Sequence, residues 1–239
     1  MYKILKALLF TYSLFTVLAI LKTFMQKYIG FDTFETRWLN NGGATTHLIH
    51  SGIRYFSFFT DASNMGSNMG GAGIVLGIAS LHIKNRTLKI YYIIVAITSL
   101  YTMMLSGTRG AIIVPLAGLA LYTVVSKQTR SIITGSISLA LIYVFFAFTM
   151  IGQSNPSIRR MRTAFKPSED ASYIVRKENK KKLKEYLKYK PFGEGLGLSG
   201  DGLGLKLSRR FTTSIPTDSW YVKIWVETGI VGLIIYMGM

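Results

Sequence analysis

The sequence predicts an all-α, polytopic membrane protein with about six transmembrane helices and one large external loop containing an amphipathic helix. Two observations carry that expectation. Apolar runs long enough to cross a bilayer recur along the chain, and the charge between them is concentrated in one basic region. Residues 152–215 hold 15 of the 28 Lys and Arg but 6 of the 11 Asp and Glu, so +9 of the formal +17 lies in that stretch. Cysteine is absent, which excludes a disulfide framework and a thiolate metal site.

Crossing a hydrocarbon core takes about 20 mostly apolar residues. Ala7 to Leu21 is uncharged and flanked by Lys6 and Lys22, whose stems can snorkel to the interfaces. Lys3 and Lys6 ahead of it also fit a secretory signal peptide, but no clear small-x-small cleavage site precedes the polar region. Asn64 to Ile83 is rich in glycine, as a closely packed membrane helix can be. Lys89 to Leu105 and Ala111 to Val125 are shorter, and Pro115 inside the second is tolerated where neighbours re-satisfy the backbone. Ser131 to Ile151 carries no charge at all. The last run, from about Trp220 to Met239, stops where the chain stops, so the expectation is a truncated helix and a fragment of a longer protein. The expected division is a membrane domain over 1–151 with an external loop at 26–63, a large basic external loop over 152–219, and the final helix over 220–239.

Orientation follows from the short connections. His82 to Lys89 holds three Lys/Arg and Ser126 to Arg130 holds two, so the positive-inside rule puts both in the cytoplasm. Alternation then places residues 26–63, the turn Ser106-Gly107-Thr108-Arg109-Gly110 and the 152–215 loop outside. That loop is long enough, at 64 residues, to escape the charge rule. Each external segment brings arginine: Arg37 and Arg54 in the first, Arg109 in the second, and Arg159, Arg160, Arg162, Arg176, Arg209 and Arg210 in the third. An arginine at membrane depth costs about 2.5 to 3.5 kcal/mol even on insertion scales. Arg109, in a five-residue turn between apolar runs, either snorkels at the boundary or offers a fixed fork that binds phosphate oxygens bidentately. The expected partner is anionic and close to membrane lipid; nothing points to nucleic acid.

Four stretches occur in a telling order: Arg54-Tyr-Phe-Ser-Phe-Phe-Thr-Asp61-Ala-Ser-Asn64-Met-Gly66, the 106–110 turn, Pro191-Phe-Gly-Glu-Gly195-Leu-Gly197, and Asp218-Ser-Trp-Tyr-Val-Lys-Ile-Trp-Val-Glu227-Thr-Gly229. Each is weak alone. As an ordered set spanning nearly the whole chain, they resemble the landmarks of the O-antigen ligase and O-antigen polymerase family. The resemblance implies a glycosyltransferase of the bacterial inner membrane with its active face in the periplasm. Its donor would be a glycan on undecaprenyl diphosphate, and its acceptor another glycan or the lipid A core. It further implies that Arg54, Arg109 and Arg176 hold the diphosphate, with Arg109 also catalytic. Charge grows on that group as the anomeric C–O bond breaks, so preorganised donors aimed at it favour the transition state. No metal or cofactor is expected, and the sequence has no Asp-x-Asp of the kind that carries a divalent cation in nucleotide-sugar transferases.

The base departs from the family pattern. Ligase members carry a histidine just before the last landmark, and here Asp218 holds that place. A carboxylate can act as a general base for the acceptor hydroxyl, best if its pKa is raised. The departure favours a polymerase or another acceptor type. Pro216-Thr217-Asp218-Ser219 ahead of an apolar run also reads as an N-cap, and capping and catalysis are compatible.

Several features weigh less. His47 and His50 have helical spacing for a metal pair but no nearby third ligand, so an ordinary polar surface is the expectation, and His82 has no functional case. The glycines from Gly193 to Gly204 follow a cationic helix rather than a strand, which argues against a dinucleotide fingerprint and for a flexible loop. From Arg176 to Lys190, Leu183, Tyr186 and Leu187 make an apolar stripe among lysines, suited to the headgroup layer or to capping the bundle. Trp38, Trp220 and Trp225 fit an interfacial belt, with sugar stacking open to Trp38 and Trp220. The alternatives to an enzyme are a lipid-linked oligosaccharide transporter, against which the lack of an internal repeat speaks, and a non-catalytic component of an export complex.

Overall fold

A computed structural model describes residues 2–49, 52–127, 129–154, 156–165, 171–200, 210–217 and 219–239. Regular structure among them is helical apart from one antiparallel pair, β1 (Leu48–Ile49) with β2 (Gly52–Ile53). The chain forms two compact units, Met1–Lys166 and Pro167–Met239.

The first unit contains α1 (Tyr2–Tyr28), α2 (Thr33–Trp38), α3 (Ala44–His47), α4 (Ala62–His82), α5 (Arg86–Leu105), α6 (Ile113–Val125), α7 (Thr129–Phe148) and α8 (Pro156–Arg162). α4 is its axis, packed on α1, α5 and α6. The glycines make this possible. A methyl group on Gly66 would sit 2.5 Å from Ser106 Oγ, one on Gly70 3.0 Å from Met103 Sδ, and one on Gly73 2.7 Å from Leu100. This stripe of small residues lets the neighbouring backbones approach, as membrane helices do where hydrophobicity alone cannot drive association. Met65, Leu76 and Tyr92 lie fully buried along the seam.

Three helices among the described residues are long and apolar enough to cross a membrane: Lys3–Tyr28, Arg86–Leu105 and Trp220–Gly238. Arg109–Val125 and Gly135–Phe148 are shorter apolar helices, and α4 has the length but is diluted by glycine, asparagine and serine. The outer faces suit lipid. Leu8, Phe15 and Leu18 of α1 are each more than half exposed, where a helix in water would be polar.

α1 outruns its apolar stretch by about two turns, because polar residues near its end tie down the next segment. Gln26 is buried; its amide donates to Glu35 Oε1 at 2.7 Å and to Ser57 O at 3.2 Å, and its oxygen accepts from Ser57 N at 2.9 Å. Lys22, expected to snorkel, instead pairs with Asp32 at 2.7 Å and Glu35 at 2.9 Å. Asp32 and Glu35 form a capping box that starts α2.

The second unit contains α9 (Ala171–Tyr186) and α10 (Trp220–Gly238). The stripe read from the sequence is packing: Leu183 and Leu187 are buried against Ile215 and Val226.

Candidate functional site

Arg54 directly follows the short β pair, and its N–H donates to His47 O at 2.8 Å. The imidazole of His47 is buried, which corrects the polar-surface reading. Ala62 N–H donates to its Nε2 at 3.2 Å, so Nδ1 carries the proton and donates to Gly43 O at 3.0 Å. Burial, the Gly43 carbonyl bond that partly opposes it, and the nearby charge of Arg54 together leave the His47 pKa below its usual value. His47 therefore ties the α3–β1 segment to the start of α4, where Asp61 caps the helix by accepting from Ser63 N at 2.6 Å and Asn64 N at 2.9 Å. His50 lies outside the described residues.

The Arg54 side chain reaches across to the 106–110 turn. Its Nη2 donates to Thr108 Oγ1 at 2.8 Å and Ser63 Oγ at 3.3 Å, its Nη1 to Thr46 O at 3.1 Å, and its Nε to Ser106 O at 3.3 Å. Every one of these hydrogen-bond acceptors is neutral, and the carboxylate whose charge reaches the guanidinium is Asp61. Thr108 Oγ1 in turn donates to Ala62 O at 3.1 Å.

The turn itself depends on Gly107, whose φ of +59 lies in the left-handed region. A methyl group there would lie 3.3 Å from Arg54 Cγ and 3.5 Å from Arg160 Nη1, so the two arginines meet over this glycine. Arg109 opens the 3-10 turn Arg109–Ile112 and is half-buried. Its charge reaches both others. Burial first, with Arg109 adding to it and Asp61 opposing it, lowers the Arg54 pKa; burial, then Arg54 and Arg109, push Arg160 down to about 10.

Arg160 is the member that sequence reasoning missed, grouped with five other loop arginines. Its neighbours show how it is presented. Met161 is fully buried, and Arg162, also buried, donates to Ile151 O at 2.5 Å and lies 5.3 Å over the Phe145 ring. Those two dock α8. Nothing in the run Arg159-Arg160-Met161-Arg162 sets Arg160 apart in the sequence; burial does, with Arg159 exposed, Arg160 half-buried and Met161 and Arg162 buried.

Among the other expected site residues, Trp38 packs edge-on to His47 at 4.9 Å and keeps part of its ring exposed. In the second unit, Arg176 is exposed on α9, and Trp220 is the exposed first residue of α10. Asp218 and Arg209 lie outside the described residues. Arg210 pairs with Glu194 at 3.3 Å, and Lys190 pairs with the same carboxylate.

α10 is interrupted at Gly229, with φ of +70 and ψ of −170. The interruption is held by the stretch that opens with Pro191. Glu194 N donates to Val226 O at 2.9 Å, Gly195 N to Glu227 O at 3.0 Å, and Val231 N to Pro191 O at 3.2 Å. The flexible-loop reading of Gly193 to Gly204 is thus corrected for residues 193–195, because the carbonyls released by the helix break are satisfied there. Ser199 donates to Glu227 Oε1 at 2.5 Å in the same region. The Pro-x-Gly-x-Gly and Glu-Thr-Gly landmarks are two halves of one structure.

Residues 94–237, more than half of the chain, match the O-antigen ligase family model. The chain belongs to the O-antigen ligase family. The match takes in the 106–110 turn, α8, α9, and both halves of the α10 interruption, and leaves Trp38 and Arg54 upstream of it. No curated protein and no solved structure matches the chain. Membership gives an O-antigen ligase-type function in membrane polysaccharide synthesis, with a glycosyltransferase-like activity on a lipid-linked glycan and an acceptor.

Proposed function

We propose that this O-antigen ligase family member transfers a glycan from undecaprenyl diphosphate to an acceptor sugar hydroxyl at the periplasmic face of the bacterial inner membrane. The observation that carries the reading is the convergence of Arg54 and Arg109 beside the 106–110 turn, where the four hydrogen bonds that orient the Arg54 guanidinium all go to neutral acceptors. A site that assembles like charge in a half-buried place fits an anionic ligand, and a fork held in advance stabilises charge that grows during reaction. Bond cleavage leaves that charge on the diphosphate. The guanidinium groups supply the compensation that a divalent cation supplies in other transferases, so the proposed reaction is metal-independent.

In the proposed step the acceptor oxygen attacks the anomeric carbon, the bond from that carbon to the diphosphate oxygen breaks, and undecaprenyl diphosphate departs with the bonding electrons. The hydroxyl proton passes to a base, for which Asp218 is our assignment. A single displacement of this kind inverts the anomeric centre. Arg176 would add to the diphosphate site, and Trp38 and Trp220 would stack on sugars. A carboxylate in place of the histidine of ligase members favours a polymerase, whose acceptor is another lipid-linked repeat unit.

The test is to incubate the full-length protein in liposomes with undecaprenyl-diphosphate oligosaccharide and resolve the products by mass. A ladder of repeat units establishes polymerisation. A donor consumed only when lipid A core is added makes the protein a ligase. A donor unchanged with every acceptor overturns the proposal.

A further inference from the structure

Resting on the diphosphate reading above, we infer that Arg160 of α8 is a third ligand of the diphosphate, completing with Arg54 and Arg109 a cradle built over Gly107. Geometry carries this. Arg160 Nη1 and Arg54 Cγ approach the same face of Gly107, and α8 packs against both α5 and the 3-10 turn that begins at Arg109. The chain brings this arginine from a segment 51 residues beyond Arg109, so its position is a product of folding rather than of local sequence.

Met161 and Arg162 anchor α8, and Arg160 between the exposed Arg159 and this anchored pair brings a third cation near two others. Like charges gathered in a half-buried place repel, since they are screened less there than in water. Burial and the two neighbouring arginines together push the Arg160 guanidinium down to about 10, the direction expected where positive charge is crowded. A diphosphate offers two phosphoryl groups with several acceptor oxygens, enough to engage three planar forks, and its negative charge removes the repulsion.

Equilibrium binding of radiolabelled undecaprenyl diphosphate in nanodiscs, compared across variants, decides the matter. Arg160→Gln is expected to weaken binding at least tenfold with the melting temperature kept, and Arg160→Lys to recover only part of it. Binding within twofold of the parent protein overturns the role of Arg160. Arg54→Gln and Arg109→Gln separate the two ideas: if they lose binding while Arg160→Gln does not, only Arg160 is misassigned, and if all three retain it, the diphosphate site itself fails. Should the Arg160 variants not fold, phenylglyoxal labelling of the unaltered protein gives the second readout. Undecaprenyl diphosphate is expected to shield Arg160 and leave the exposed Arg159 reactive; equal labelling with and without the lipid overturns the inference.

Discussion

Arg54 Nη2 donates to Thr108 Oγ1 at 2.8 Å, joining two motifs 54 residues apart, and the same hydroxyl donates onward to Ala62 O. One threonine therefore connects the arginine fork, the 106–110 turn and the first residue of α4. Thr108→Val keeps the shape and removes both bonds. We expect a loss of about 1 to 2 kcal/mol in stability and a rise in the apparent KM for the lipid-linked donor of about tenfold, equivalent to about 1.4 kcal/mol, read from donor titrations of transferase activity. An unchanged KM would show that the orientation of Arg54 does not matter for donor binding.

Arg109→Lys keeps the charge and loses the planar fork. The variant should insert and melt as the parent does, while glycan transfer falls by at least a hundredfold. Glycan chains of normal length and amount from this variant would remove Arg109 from the mechanism.

Gly229→Ala and Gly193→Ala should both destabilise the second unit. At Gly229 the new methyl collides with Pro191 O, and at Gly193 it lies 2.5 Å from Gly229 N, so the backbone must separate. Each residue also has a positive φ, which costs an alanine about 1 kcal/mol or more. Gly197→Ala is the control, since it has φ of +77 but open space around the position. Thermal melts should show clearly larger drops for Gly193 and Gly229 than for Gly197; three equal drops would mean that backbone conformation, and not the close approach, is what matters.

His47 makes the first unit acid-sensitive. Its folded pKa lies below the unfolded value of 6.5, so the unfolded chain takes up the proton first. The resulting stability is fully present above about 6.5 and declines as pH falls through that value towards the lowered folded pKa. Melting temperatures between pH 8 and pH 5 should drop more for the parent than for His47→Asn, which cannot protonate. Parallel pH profiles would argue against the neutral, Nδ1-protonated imidazole.

Gln26→Leu is expected to unfasten the segment after α1, because the buried donors and acceptors of Glu35, Phe56 and Ser57 would lose their shared partner. Each buried polar group left unsatisfied costs about 1 to 3 kcal/mol. Faster proteolysis within residues 31–60, with the rest of the first unit protected, is the expected result. Unchanged cleavage would place the hold elsewhere.

By itself the sequence determined the all-helical class, the membrane character and the family. Bilayer thickness imposes a length on apolar runs, and ordered short motifs survive as text. It also singled out Arg109, because arginine between two apolar runs is costly enough to stand out, while Arg54 came from the resemblance to the family. It could not sort the loop arginines. Arg159, Arg160, Arg162 and Arg210 read alike in sequence, yet Arg162 docks a helix, Arg210 pairs with Glu194, and Arg160 meets Arg54 over Gly107. Nor could it see that Pro191–Gly195 closes the break at Gly229, or that His47 is buried under α4. Tertiary structure decided these, because the role of a cation or a glycine depends on which distant backbone lies within hydrogen-bonding reach, and that follows only from packing.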